Sequence, residues 1–399
     1  MGAEVDIPIA DLHCHYPMHV VPKDLNPRGS HEGLLGRLVG VLDSDLLEVL
    51  NKAINAAQFG GNWRVDLKGV IATNAKLVWS VLYWPAGEFE IGSLLETGPK
   101  NAFYEDITSL IPLVEADVAR QAAEIEAETR KPVAYTFVKE HADLDGDGIK
   151  FVHCVEGGFQ LGDAGPDEID RRVAALAEQG VVYITLAHLF YRQVATNANA
   201  LPWLTDAEYR ALLPMPPRQG LTRLGRSMIE AMYRHGIFID ISHMNRLAID
   251  ETFALVEELD RQFGRDPKLY PILATHQGMR SVVDQEYNLE DTVAEKIRER
   301  EGLIGMIMAS HQMGPNATEK EARDLLKRHM DGARAACGDH VCTAIGSDID
   351  GFIKPTLTGV EQYGDLRKVK NWVEADQGAD ASQILYGNAR RVTERRFPT

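Results

Sequence analysis

The sequence predicts an α/β fold of the (β/α)8 TIM barrel class, on three observations. Eight short apolar, β-branched runs recur along the 399 residues, helix-period segments lie between them, and each run reads as buried on both faces. Eight such strands alternating with helices close into a barrel rather than an open doubly wound sheet. No glycine-rich phosphate loop follows the first run, which argues against a nucleotide-binding sheet.

The runs, in order, are VDIPIADLH (5–13), GVIATNAKLVWSVLYW (69–84), IKFVHCVEG (149–157), GVVYITLAH (180–188), GIFIDISH (236–243), YPILATH (270–276), GLIGMIMASH (302–311) and VCTAIGSD (341–348). Residues from about 22 to 66 carry Pro22, Pro27 and Gly29, then helix-period residues. They read as an insertion between the first two strands, a lid or flank rather than a second domain, so 1–399 is expected to form one barrel domain. DEIDRRVAALAEQG (167–180), TRLGRSMIEAMYRHG (222–236) and LEDTVAEKIREREG (289–302) are the clearest helices, each ending in Gly just before the next strand.

Composition is that of a globular protein, 45% hydrophobic and 25% charged. With 42 Lys+Arg against 59 Asp+Glu the formal charge is −17, which repels phosphate backbones and anionic lipid, so nucleic-acid and membrane partners are disfavoured. Four cysteines, Cys14, Cys154, Cys337 and Cys342, are too sparse for a disulfide scaffold and contain no CxxC. No signal-peptide pattern, myristoylation site (Asp6 stands where Ser or Thr is wanted) or long apolar span is found, and a cytoplasmic location is expected.

Barrel chemistry is placed at the C-terminal ends of strands. Seven of the eight runs finish at or beside such residues, at His13, with His15 just beyond, and at Glu156, His188, His243, His276, His311 and Asp348; six of the 13 histidines therefore fall at or next to strand ends. Residues two apart on a strand face the same side about 6.6 Å apart along it, so His13 and His15 can converge on one ion. Glu156 has two oxygens with which to bridge two cations, and His243 and His276 complete the second ion's shell. Two divalent ions about 4 Å apart share a water and lower its pKa towards neutrality. Asp348 is placed to accept the water's proton and pass it to a leaving group, and His188 to polarise a carbonyl or hold its developing oxyanion.

His19, His31, His141, His153 and His235 read as ordinary: His153 is out of phase with Glu156, and His235 closes a helix, where an imidazolium suits the dipole. DLDGDG (143–148) matches the start of a calcium loop, but the twelfth position is Cys154 rather than Glu and a strand follows instead of a helix, so it reads as an acidic turn.

CVEGGFQLG, GVVYITLAH, GLTRLGRSMIEAMYRHGIFIDISH, PILATHQGMRS, AIGSDIDGF and ILYGNARRV together resemble, in order, the signature blocks of the membrane dipeptidase (renal dipeptidase, peptidase family M19) group within the amidohydrolase superfamily. The resemblance covers most of the chain. It implies a binuclear zinc barrel, often homodimeric, that hydrolyses dipeptides, including those with a D-residue at the C-terminal position. By the same resemblance His13 and Glu156 bind one zinc, Glu156, His243 and His276 bind the other, His188 contacts substrate and Asp348 is the catalytic carboxylate.

Three positions depart from that family's pattern. His15 stands where the family carries Asp, leaving the site one charge more positive. Tyr287 stands where an arginine clamps the dipeptide carboxylate, and a phenol makes no bidentate charge-assisted contact. LFYRQVATNANALPW (189–203) replaces an Asn-rich segment and brings Tyr191 and Arg192 near the mouth. Two explanations compete: Arg192 or Arg280 has taken over the clamp, or the substrate is another amide or a lactone without that carboxylate. His188, Tyr191, Arg192, Arg280, Tyr287 and His311 are the expected substrate contacts. The expected activity is zinc-dependent hydrolysis of a small-molecule dipeptide or related amide. The reading outside enzymes is a metal-binding relative that has lost the reaction, which would have no need of Asp348.

Overall fold

The computed structural model describes residues 6–21, 63–85, 88, 98–202, 204–213, 215–216, 218–351, 353 and 355–399. Most of the expected insertion, residues 22–62 with His31, lies outside the described residues.

Nine strands form one parallel sheet: β1 (Ile9–Cys14), β2 (Ala75–Leu82), β3 (Tyr135–Phe137), β4 (Ile149–Glu156), β5 (Tyr183–Thr185), β6 (Phe238–Asp240), β7 (Ile272–Gln277), β8 (Leu303–Met306) and β9 (Thr343–Ile345). The order runs β2-β1-β9-β8-β7-β6-β5-β4, and β2 pairs again with β4, which closes an eight-stranded barrel. β3 is an addition that the sequence reading did not include. β4 gives its first residues to β3 (Tyr135 opposite Ile149) and its last to β5 (Glu156 opposite Thr185).

Every residue of β1, β4 and β7 is buried, as a strand covered on both faces requires. The three clearest helices appear at Pro166–Glu178, Arg223–His235 and Asp291–Glu299. Arg223–His235 shows why its ends fall where they do. The Thr222 side chain accepts from the Gly225 amide at 3.0 Å, and Gly236 closes the helix in the left-handed conformation, φ 73°.

The run 69–84 is not one strand. Leu67–Ala72 is a helix capped by Asp66, whose carboxylate accepts from the Gly69 amide at 2.6 Å, and β2 starts only at Ala75. Leu67 and Val70 are buried on that helix's inner face, and a short apolar stretch of this kind has no periodicity to distinguish helix from strand. The run 302–311 likewise overreaches: β8 ends at Met306, and His311 lies in a four-residue helix, Ser310–Met313.

DLDGDG is an acidic turn. Asp143 caps a short 3-10 helix, His141–Leu144, by accepting from the Lys139 and Glu140 amides at 2.9 and 3.1 Å, and β4 follows at Ile149.

Candidate metal centre

The β-ladder aims the first two histidines. Between Asp11 and Cys14 the register slips, three residues on β1 opposing two on β2, a bulge of the kind that re-aims side chains at barrel rims. Asp11 fastens this bend to the end of β9: its carboxylate accepts from the His13 amide at 3.2 Å and the Ser347 amide at 2.8 Å. The Asp348 amide in turn donates to the His13 carbonyl at 2.8 Å.

Glu156 is the last residue of β4 and His276 lies within β7, while His188, His243 and Asp348 each stand three residues beyond β5, β6 and β9. His243 and Asp348 adopt left-handed backbone, φ 66° and 56°, a conformation that costs a non-glycine residue about 1 kcal/mol or more and concentrates at functional sites. Gly351 leaves the Asp348 carboxylate its room, since a Cβ there would lie 2.0 Å from Oδ1.

The side chains converge on Glu156, which is 1% exposed. Its Oε1 lies 3.3 Å from His13 Nε2, 3.5 Å from His276 Nε2 and 3.6 Å from His243 Nε2. Its Oε2 lies 3.3 Å from His15 Nε2 and 3.2 Å from His188 Nε2. Asp348 Oδ1 is 3.1 Å from His15 Nε2 and 3.7 Å from His13 Nε2. Three ligand-like groups result, His13 with His15 and Asp348, Glu156 with His243 and His276, and His13 with Asp240 and His276. Asp348, read from the sequence as a proton shuttle, therefore also stands among the atoms that could hold an ion at the first group.

The hydrogen bonds around the rings suit a divalent cation. Tyr183 donates its hydroxyl to the Leu12 carbonyl at 3.1 Å and so accepts from His13 Nδ1 at 2.7 Å. Thr275 donates its own to Asp240 Oδ2 at 2.7 Å and accepts from His276 Nδ1 at 2.9 Å. Both rings thus carry their proton on Nδ1 and present bare Nε2 atoms to the centre, as outer partners of metal-bound histidines do. Glu156 Oε2 is buried without a hydrogen-bond donor, and His243 Nε2 faces His276 Nε2 at 2.9 Å. Such a convergence of acceptors is repulsive unless a cation or proton sits among them.

Burial pushes the Glu156 carboxyl up, but His188 and His13 outweigh it and hold it well below the usual range. Burial lowers His15 and His188, yet Asp348 and Glu156 raise the first to about 9, and Glu156 and Glu88 raise the second to about 10. Burial depresses His243 and His276. A metal at the first group therefore competes with a proton on His15.

The remaining expected contacts divide. Arg192 is buried, donates to the Glu88 carbonyl and lies over the Phe190 ring at 5.6 Å. Tyr287 is a support rather than a substrate contact: its hydroxyl donates to the His276 carbonyl at 2.7 Å and its ring meets that of His243 edge-on at 5.0 Å. Arg280 is turned away, paired with Asp284 at 2.9 Å and Glu290 at 3.1 Å. Among the described residues no hydrogen bond or ring contact joins Tyr191 or His311 to the cluster, and His311 stands five residues past the end of β8. His19, His141 and His235 are engaged elsewhere, with Asp117, the Phe397 carbonyl and Asp170, and His153 stacks on Phe137 outside the barrel lumen.

Four residues of the centre were not picked out from sequence: Glu88, Tyr183, Asp240 and Thr275. Asp240 stands near His13 and His276 but is committed to Thr185, Ser242 and Thr275, which makes it an anchor for the layer beneath the ligands.

A closed parallel barrel with a carboxylate shared among histidines at its C-terminal mouth defines the class: a (β/α)8 barrel with a centre suited to divalent metal. The membrane dipeptidase (peptidase family M19) pattern matches residues 70–396, and the chain belongs to that family. Dipeptidase 3 of Mus musculus is 26% identical over 241 residues, 58% of this chain and 43% of that protein, and an uncharacterized dipeptidase of Schizosaccharomyces pombe is 23% identical over 235 residues, 55% and 50%. The chain thus spans about half the length of the curated relatives it matches. In fold it is similar to a metallo peptidase from Rhodobacter sphaeroides liganded with a phosphinate mimic of L-Ala-D-Ala (TM-score 0.64, 18% identity, 98% of this chain and 100% of that one). It is also similar to an amidohydrolase from Pseudomonas aeruginosa (TM-score 0.58, 13% identity, 83% and 91%). No helix among the described residues is long and apolar enough to cross a membrane.

Proposed function

We propose that the chain hydrolyses dipeptides at a centre of two zinc ions. The observation that carries this is the convergence of four histidines on one buried carboxylate, His13, His243 and His276 at Glu156 Oε1 and His15 at Oε2, with Asp348 beside His15 and His13. His13, His15 and Asp348 would hold one ion and His243 and His276 the other, with Glu156 available to both. Divalent ions there supply Lewis acidity and a water acidified towards neutral pH. Asp348 takes the proton of the attacking water and delivers it to the leaving amine. His188 directs Nε2 to the Glu156 side of the centre, where it donates to the oxygen that gains charge. The family and the ligand of the Rhodobacter sphaeroides structure support the dipeptide as substrate. Four free thiols agree with a reducing, cytoplasmic setting.

One observation favours a second reading. Tyr287 is committed to His276 and Arg280 to two carboxylates, so Arg192 is the one guanidinium, of those singled out from the sequence, that remains beside the centre. If Arg192 does not receive a substrate carboxylate, the substrate is a different amide or a lactone.

Elemental analysis of reconstituted protein, run beside a panel of L,L- and L,D-dipeptides, acyl amino acids and lactones, tests both. Two metals per chain and dipeptide turnover that Asp348→Asn abolishes are expected. Fewer than one metal per chain overturns the binuclear centre, and turnover of lactones alone selects the second reading.

A further inference from the structure

We infer that Glu88 is a positioning residue that fixes the ring of His188, so that Tyr83 and Glu88, beyond β2, and His188, beyond β5, act on the centre as one unit. Glu88 is 0% exposed. Its Oε2 accepts from the Tyr83 hydroxyl at 2.8 Å and from His188 Nδ1 in a short contact, and its Oε1 accepts from the Phe190 amide at 2.9 Å. Arg192 donates to the backbone carbonyl of the same residue. A carboxylate out of water is costly unless every lone pair is used, and here the donors come from the end of β2 and from the loop that carries His188.

The consequence is geometric. With Nδ1 bound to Glu88, Nε2 is the ring atom left for the centre, and it sits 3.2 Å from Glu156 Oε2. Tyr83 and His243 close on the two sides of the ring at 4.8 and 4.7 Å, both near a T-shaped angle, but neither contact distinguishes one ring nitrogen from the other. The Glu88 hydrogen bond does. Glu88 touches no reacting atom in this arrangement and acts through His188, as a carboxylate behind a histidine commonly does.

Glu88→Gln tests this while keeping the side chain's size. One end of the amide is an NH2 group, which accepts neither the Phe190 amide nor His188 Nδ1–H, so at least one bond is lost. The first readout needs no substrate. Proton NMR should show a strongly low-field resonance for His188 Nδ1–H, assigned by its loss in His188→Gln, and Glu88→Gln should remove or shift it with metal content unchanged.

The second readout rests on the hydrolase reading. With a dipeptide, kcat should fall about 10- to 100-fold while KM stays within about twofold. The double variant Glu88→Gln/His188→Gln should be no slower than His188→Gln alone. If Glu88→Gln does not fold, Glu88→Asp replaces it, with a shifted resonance and a smaller kcat loss expected. An unmoved resonance, or an equal kcat penalty with and without His188, overturns the inference. Absence of dipeptide turnover in the unaltered protein counts against the proposed function alone, since the resonance still decides the role of Glu88.

Discussion

Tyr287 donates its hydroxyl to the carbonyl oxygen of His276 over 2.7 Å, so a residue ten positions past β7 holds the backbone of a candidate metal ligand on that strand. Burial pushes the phenol well above its ordinary value, which keeps it a donor at any working pH.

Tyr287→Phe should therefore cost stability and metal together. The lost hydrogen bond leaves a buried carbonyl short of a partner, worth about 1–3 kcal/mol, and the loosened His276 should weaken metal binding about tenfold. Urea denaturation and a competitive metal titration measure the two. Weaker substrate binding with unchanged metal affinity would instead return Tyr287 to the substrate pocket.

Arg280 and Arg192 should behave oppositely. Arg280 is about a third exposed and spends its guanidinium on Asp284 and Glu290, pairs worth about 0–1 kcal/mol. Arg280→Ala is expected to leave kcat/KM within about twofold, the range of a surface change. Arg192→Lys loses the planar fork from a buried position beside Glu88 and His188, and KM for dipeptides should rise about tenfold or more. Steady-state kinetics on both variants decide, and a larger effect from Arg280 would reverse the assignment.

The barrel and the candidate ligand cluster are legible in the sequence because both leave marks on single runs. His13, His15, Glu156, His243 and His276 are metal-binding types concentrated at the ends of apolar stretches, and the structure brings all five within one cluster. His311 was misplaced because Ile307, Met308 and Ala309 remain buried after β8 stops pairing at Met306, so hydropathy does not show where the ladder ends. Glu88, Tyr183, Asp240 and Thr275 have no spacing rule. Their roles arise chiefly from hydrogen bonds to residues 35 to 262 positions away, such as Thr275 to Asp240, Tyr183 to His13 and Thr275 to His13, which only the closed barrel creates.

Strong acid should loosen the turn after His15. Asp117, on the helix Ala102–Thr129, accepts from Tyr16 at 3.3 Å, Gln121 at 2.6 Å and Arg120 at 2.5 Å and contacts His19 at 2.7 Å, pinning residues 16–20 to that helix. Burial pushes its carboxyl up, but hydrogen bonds from His19 and Arg120 prevail and hold it well below the ordinary value. A depressed folded-state pKa stabilises the fold above the unfolded value of about 3.9, and the contribution is lost as pH falls from there towards the folded pKa. Asp117→Asn should cost about 1–3 kcal/mol at neutral pH and progressively less below pH about 4. Urea midpoints of both proteins at two pH values give the comparison. A gap of equal size at both excludes the charge as its source.

Gly346→Ala should damage the centre from below. Gly346, just past β9, and Gly305, on β8, both face the Thr275 carbonyl: a Cβ would lie 1.7 Å and 1.9 Å from that oxygen. The obstruction is backbone, so no side chain can rotate away and β7 itself must move. Thr275 also holds His276 Nδ1 at 2.9 Å and lies 3.2 Å from His13 Nδ1, so its displacement disturbs both rings that present Nε2 to the centre. The expected result is a loss of about 1–3 kcal/mol in stability, the usual cost of overpacking, with metal affinity lowered about tenfold. Gly364→Ala is the control: a Cβ there meets nothing within 4 Å, and stability should change by less than about 0.5 kcal/mol. Should Gly346→Ala lose stability yet bind metal as before, the barrel's packing and the orientation of the histidines are independent, and Thr275 does not transmit one to the other.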